Sequence, residues 1–168
     1  MFKKALEWFI IIVSRFIGDK HMKLKKILMY FYKYKYRKIS LKLGFTIPIS
    51  NIGPGLAIVH YGNIIISEHS LIGKNFRIHS GVNIGATGGQ IKAARIGDNV
   101  YIGPGAKIVG EISIGDNVCI GANAVVVNDI QNDITIGGIP AVKISDKNSS
   151  IHLIKATEII ANTVSHDN

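Results

Sequence analysis

From residue 66 onward an aliphatic side chain recurs at every sixth position: Ile66, Ile72, Ile78, Ile84, then Ile96, Ile102, Ile108, Ile114, Ile120 and Val126, with only Gln90 out of character. Glycine follows six of them, at Gly73, Gly85, Gly97, Gly103, Gly115 and Gly121. A second apolar row runs two positions ahead of the first, through Phe76, Val82, Ala94, Val100, Ala106, Ile112, Val118 and Ala124. A period of six matches neither an α-helix at 3.6 nor a lone strand at 2. It matches a chain that turns a corner every six residues, with short strands of β-branched residues on flat faces and repeated isoleucines stacked inward, coil on coil. Three hexads make one triangular coil, so the repeat predicts a mainly β protein built as a parallel β-helix, with four to five coils over residues 52–144.

The phase breaks twice. Ile52, Ile58 and Ile64 keep a six-residue step, but the row starting at Ile66 lies two residues out of step with them, so the phase slips after "HYGN", residues 60–63. The second break surrounds Gln90, where "TGGQIKAA" replaces a regular hexad. Irregular backbone on a rigid scaffold is where binding and catalytic groups tend to lie. His60, alone within the otherwise aliphatic or small run "AIVHYGNIII", is therefore the first candidate for chemistry.

Ahead of the repeat, residues 1–43 mix apolar and basic side chains in two helix-like stretches separated by "GDK". They carry 12 Lys/Arg against 2 Asp/Glu, and so hold the whole of the +9 formal charge; residues 44–168 sum to −1. The main domain thus gives no electrostatic case for nucleic acid. No run in this segment approaches the roughly 20 apolar residues of a membrane-spanning helix, and Glu7 interrupts what would be a signal-peptide core. The expectation is a helical cap on the main domain or on a neighbouring subunit, with peripheral contact to an anionic membrane as the second reading. After the repeat, residues 148–168 show helical spacing at Ile151, Ile154, Ile159 and Ile160, which predicts a C-terminal helix closing the last coil. The expected organisation is a basic helical segment at 1–43, a β-helix domain at 44–147, and a C-terminal helix and tail at 148–168. The single cysteine, Cys119, excludes an internal disulfide framework and fits a reducing, cytoplasmic setting.

"IGDNVYIGPGAKIVGEISIGDNVCIGANAVVVNDI", followed by "IGGIPAVKI", resembles the hexapeptide-repeat acyltransferases, whose fold is a left-handed parallel β-helix. Within that family, "VHYGNIIISE" and "VNIGATG" are most similar to the serine acetyltransferase branch. The resemblance covers residues 44 to about 147. It places His60 on the catalytic histidine and implies acetyl-CoA as co-substrate, a homotrimer with sites at subunit interfaces, and no metal. Transfer of an acyl group from coenzyme A to a hydroxyl needs a base for the hydroxyl proton and donors for the oxyanion, and the thioester is already activated. One imidazole suffices, and no protein nucleophile is required. Neither a G-x-S-x-G elbow nor a base beside Cys119 supports acyl-enzyme chemistry.

Glu68 matches a glutamate of the branch pattern and is a second catalytic candidate beside His60, while the pattern does not assign the group that orients the imidazole. Tyr61, His79 and Asn83 are expected acceptor-binding residues. The resemblance implies co-substrate contacts at Gly85, Thr87, Gly103, Pro104, Gly105, Gly121, Ala122, Pro140, Ala141 and Lys143. Three positions depart from the branch: Val59 replaces the acidic residue before the histidine, Phe45 the aspartate that orients it, and Ala93 the histidine of the acceptor loop. A site without these polar groups should bind free serine poorly. The expected acceptor is therefore a hydroxyl of a sugar or polysaccharide precursor, as in the capsule and exopolysaccharide O-acetyltransferases that this short build resembles, with serine as the alternative. A zinc enzyme on the same fold ranks lower. His60, His69 and His79 are nine and ten residues apart, spacings that put them in different phases of a six-residue repeat. The protein is expected in the cytoplasm or at the inner face of the membrane.

Overall fold

In the computed structural model, the residues described are 22–153 apart from Ile49, Gly89 and Gln90. A helix, α1 (Met22–Leu43), leads into fourteen short strands. In chain order these are β1 (Phe45–Thr46), β2 (Ala57–Ile58), β3 (Ile64–Ile66), β4 (Leu71–Ile72), β5 (Arg77–Ile78), β6 (Asn83–Gly85) and β7 (Arg95–Ile96), then β8 (Tyr101–Ile102), β9 (Lys107–Val109), β10 (Ser113–Ile114), β11 (Cys119–Ile120), β12 (Val125–Val126), β13 (Thr135–Gly137) and β14 (Val142–Ser145).

The strands stack into three sheets, the faces of a left-handed parallel β-helix. The first face runs β1-β3-β6-β9-β12, the second β4-β7-β10, and the third β2-β5-β8-β11-β13, with β14 added antiparallel to β13. Every other pair is parallel. Both apolar rows of the sequence point inward. Ile78, Ile84, Ile102, Ile108 and Ile120 have no exposed surface, and neither do Phe76, Val100, Ala106, Val118 and Ala124. The core is thus a continuous ladder of identical side chains, each packed on its equivalent one coil away.

The register pairs measure each coil. Ile96 pairs with Ile114, and Ile102 with Ile120, at the regular 18-residue step. Ile58 pairs with Ile78, a step of 20, whereas Ile66 pairs with Ile84 at 18. The two extra residues therefore sit between β2 and β3, within "HYGN" and just ahead of where the phase row shows the slip. Ile72 pairs with Ile96 at a step of 24, so one whole hexad is looped out between β6 and β7. A third irregularity is not foreseen: Ile120 pairs with Ile136 at 16, so the last coil is two residues short.

The corner between the second and third faces is the most regular. Asn75, Asn99, Asn117 and Asp133 occupy it with φ between 53° and 60°, the left-handed region that Asn and Asp tolerate best. Their side chains form a ladder: Asn75 Nδ2 donates to Asn99 Oδ1 at 2.9 Å, Asn99 to Asn117 at 3.0 Å, and Asn117 to Asp133 at 2.9 Å. Beside it, the carboxylates of Asp98 and Asp116 and the amide of Asn132 each accept a backbone N–H from the coil before.

The helix α1 ends on the first coil. Tyr36 donates to the carbonyl of Ile47 at 2.6 Å, Ser40 is buried, and Gly62 N donates to the Leu43 carbonyl at 3.2 Å. Earlier in the helix, Ile27, Tyr30, Phe31 and Tyr34 are exposed, so it caps the coil only through its C-terminal turns. No helix among the described residues is long and apolar enough to cross a membrane. At the other end the β13–β14 hairpin, which includes a cis Ile139–Pro140 peptide, covers the last coil.

Within the described part of the expected C-terminal helix, only a 3₁₀ turn, Ser149–His152, forms. It lies along the flank instead of closing the end. Ser149 is buried, its N–H donating to Asn117 O at 3.0 Å and its hydroxyl to Asn99 O at 2.5 Å, so those tertiary partners fix the chain where helical spacing alone would not. Residues 154–168, which hold the rest of that expectation, and residues 1–21 lie outside the described residues.

Candidate active site

His60 sits in the enlarged corner between β2 and β3. Val59 N still follows the ladder, donating to Ile78 O at 3.1 Å, and Gly62 N is held by Leu43 O. Between these two anchors the extra residues push His60 and Tyr61 outward, and both are exposed, Tyr61 at 80%. Gly62 completes the turn at φ 137°, with its α-carbon facing Ser80 so closely that a Cβ would lie 3.1 Å from the Ser80 Cβ.

One coil on, the same corner carries His79, whose ring lies 6.0 Å from that of His60. They are 19 positions apart, one short of the 20-residue step of this enlarged coil, so the slip brings the two histidines together despite their different phases in the hexad. His69 lies at the next corner, beyond β3, where its Nε2 is 3.8 Å from Glu68 Oε1. The three histidines therefore do not converge. Among the described residues no group of three or more His, Cys, Asp or Glu side chains is arranged to hold a metal.

Glu68 shares that other corner. Its carboxylate faces His69 and its carbonyl accepts from Asn51 Nδ2. Within the chain, β3 separates it from His60, so pairing with His60 is not what this geometry offers. Asn83 lies on the first face, paired in register with Ile65 and Lys107. The Lys107 ammonium is engaged with the carbonyl of Gly81.

The expected co-substrate residues divide among three places. Gly103, Pro104, Gly105, Gly121 and Ala122 continue the His60–His79 corner toward the C-terminal coils. Gly85 and Thr87 lie at the corner between the first and second faces, where the looped-out hexad begins, and Gly110 N donates to Gly85 O at 2.9 Å. Pro140, Ala141 and Lys143 belong to the terminal hairpin, with Lys143 paired to Asp146 and Ala141 buried. A Cβ on Gly103 would lie 2.8 Å from Ala122 N, so coil packing alone demands that glycine. Pro104 and Ala122 are exposed and leave this edge lined by small side chains. A groove of about 520 Å³ runs along the second face past Arg95, Ser113 and Asp116 and includes none of these residues.

Three residues that the sequence does not single out adjoin the histidine corner. Arg77 and Tyr101 occupy outward positions of β5 and β8 and are paired in register. The Tyr101 ring meets His79 edge-on at 5.3 Å and stacks on His152 at 4.5 Å. His152 O accepts from Arg77 Nη1 at 2.5 Å. Burial first, and then the charges of Arg77, His60 and His152, hold the His79 imidazole below its ordinary pKa of 6.5, so it is neutral at pH 7. Cys119, next in the Arg77–Tyr101 column, is buried, and burial pushes its thiol up, which makes it a packing residue.

Residues 93–128 match the family model described as bacterial transferase hexapeptide (six repeats). The coil carries that repeat. A serine acetyltransferase of Synechocystis is 41% identical over 95 residues, which cover 55% of this chain and 38% of that protein. The crystal structure of serine acetyltransferase from Brucella abortus superposes with a TM-score of 0.65 at 27% identity, over 76% of this chain and 53% of that one. The same enzyme in complex with coenzyme A gives a TM-score of 0.57 at 32% identity, over 58% and 40% of the two chains. The chain thus spans roughly two-fifths to one-half of the length of these relatives.

Proposed function

We propose that this protein is an acetyl-CoA-dependent O-acetyltransferase with His60 as its general base. The observation that carries the proposal is an exposed histidine thrown outward by a two-residue insertion, in a coil similar to a serine acetyltransferase solved with coenzyme A. The imidazole takes the acceptor's hydroxyl proton as that oxygen attacks the thioester carbonyl. The tetrahedral intermediate then collapses, the carbon–sulfur bond breaks, and the imidazolium returns the proton to the departing thiolate.

For the acceptor, the relatives favour serine over the sugar hydroxyl that the sequence led us to expect; neither they nor the repeat point to capsule or exopolysaccharide. Serine is accordingly the first reading. One observation keeps a non-amino-acid hydroxyl as the second: Ala93 is buried and Phe45 packs against the core, so two positions that are polar in the branch pattern are apolar here. Trimeric assembly, and contact of the basic N-terminal segment with anionic lipid, remain proposals of the same kind, the first to be tested by light scattering and the second by vesicle sedimentation. The acceptor is tested by thiol release from acetyl-CoA with L-serine and with a panel of nucleotide sugars. Turnover with serine that is lost in His60→Ala supports the first reading, turnover with a sugar alone supports the second, and no thiol release with any acceptor overturns the activity.

A further inference from the structure

Two side-chain nitrogens beside His60 are buried without partners: Arg77 Nε and His79 Nε2. The register explains why. Arg77 and His79 point outward from one strand end, two residues apart. The coil before offers them Ala57 and Val59, and the coil after offers Tyr101 and Gly103, so neither adjoining rung supplies a carboxylate or amide oxygen. At the asparagine corner, by contrast, each outward amide is satisfied by the next rung. An unpaired buried polar atom is costly, and a pair of them is rare in a native fold.

The electrostatics have one sign. The charged groups acting on His79 are Arg77, His60 and His152, and all of them lower its affinity for a proton. Among the described residues Arg77 makes no ion pair, and its Nη1 donates to the uncharged carbonyl of His152. Arg77 is thus a charged group that faces only an uncharged carbonyl, and an anion taking that carbonyl's place would accept from the guanidinium and, with the proton on Nε2, from the His79 imidazole.

We propose that Arg77 and His79 form a carboxylate site that anchors the acceptor while its hydroxyl lies at His60. This rests on the acetyl-transfer reading and deepens it, since it supplies an anchor that the apolar Phe45, Val59 and Ala93 do not. The two nitrogens have no solvent-facing surface, so entry of the carboxylate displaces the His152 carbonyl and lifts the Ser149–His152 turn from Tyr101.

Binding to the full-length protein is measured apart from turnover, by following the imidazole resonances of His79, assigned with His79→Gln, during titration with L-serine, serinamide and inorganic phosphate. Serine should give a saturable shift and raise the His79 pKa. Serinamide, which lacks the charge, should bind at least about tenfold more weakly, and Arg77→Gln should weaken serine by a similar factor. Arg77→Lys, which keeps the charge but loses the fork, controls for folding and should recover part of the affinity. Equal binding of serine and serinamide, unchanged serine affinity in Arg77→Gln, or a His79 response to phosphate alone would each overturn the site. Serine bound at Arg77 without thiol release would sink the acetyl-transfer reading instead and leave the carboxylate site standing.

Discussion

The corner holding Asn75, Asn99, Asn117 and Asp133 and the corner holding His60 and His79 belong to the same coils, yet they use polar side chains in opposite ways. In the first, four successive coils present an Asn or Asp in the left-handed region and each asparagine amide donates to the next, so the ladder satisfies its own donors. In the second, a two-residue insertion removes the repeat. His60 swings outward, and Arg77 Nε and His79 Nε2 are left with no rung to bond to. Repetition builds stability by satisfying each group internally; interrupting it leaves groups free to act on something else.

That contrast can be broken from either side. The largest expected effect is on catalysis: His60→Ala should lower kcat/KM by about 10²–10⁴-fold, with the melting temperature unchanged because the side chain is exposed. Next comes the shared core. Ile102→Ala removes a side chain with no exposed surface and should cost about 2–5 kcal/mol, read by chemical denaturation. Asn99→Ala should cost about 1–3 kcal/mol, since it loses two amide bonds and puts alanine at φ 57°, while leaving turnover intact.

The smallest effect is one of pH. The His79 pKa is depressed on folding, so the unfolded chain binds more protons as pH falls below about 6.5. Stability held above that value is therefore lost as the solution is acidified toward the folded-state pKa. Melting temperatures recorded from pH 7.5 downward should fall more steeply for wild type than for His79→Gln, and parallel curves would contradict the assignment.

The regular part of the molecule was legible because its physics is local and repeated: one buried isoleucine and one small apolar partner in each hexad specify a corner every six residues. Both foreseen irregularities could be read as phase errors in that row. The short last coil could not, because Val125, Val126 and Val127 are all aliphatic and hide the missing residues. At the site, His60 and His79 were visible as polar residues near the slip, but the placement of Glu68 was not. A pattern match carries no information about which corner a residue turns toward, and β3 takes Glu68 away to His69. Arg77 and Tyr101 looked like ordinary outward positions of the hexad. Their role depends on His152, which lies 51 residues beyond Tyr101 and returns along the flank, a contact that no periodicity encodes.

Measuring thiol release and melting temperature together, on wild type, His60→Ala and Asn99→Ala with acetyl-CoA and L-serine, bears most directly on the division of labour between the two corners. The expected outcome is a crossed pattern, in which His60→Ala loses turnover and keeps its melting temperature, while Asn99→Ala keeps turnover and melts earlier. Turnover by His60→Ala at the wild-type rate would contradict it, because the interrupted corner would then be no more than a fault in the repeat.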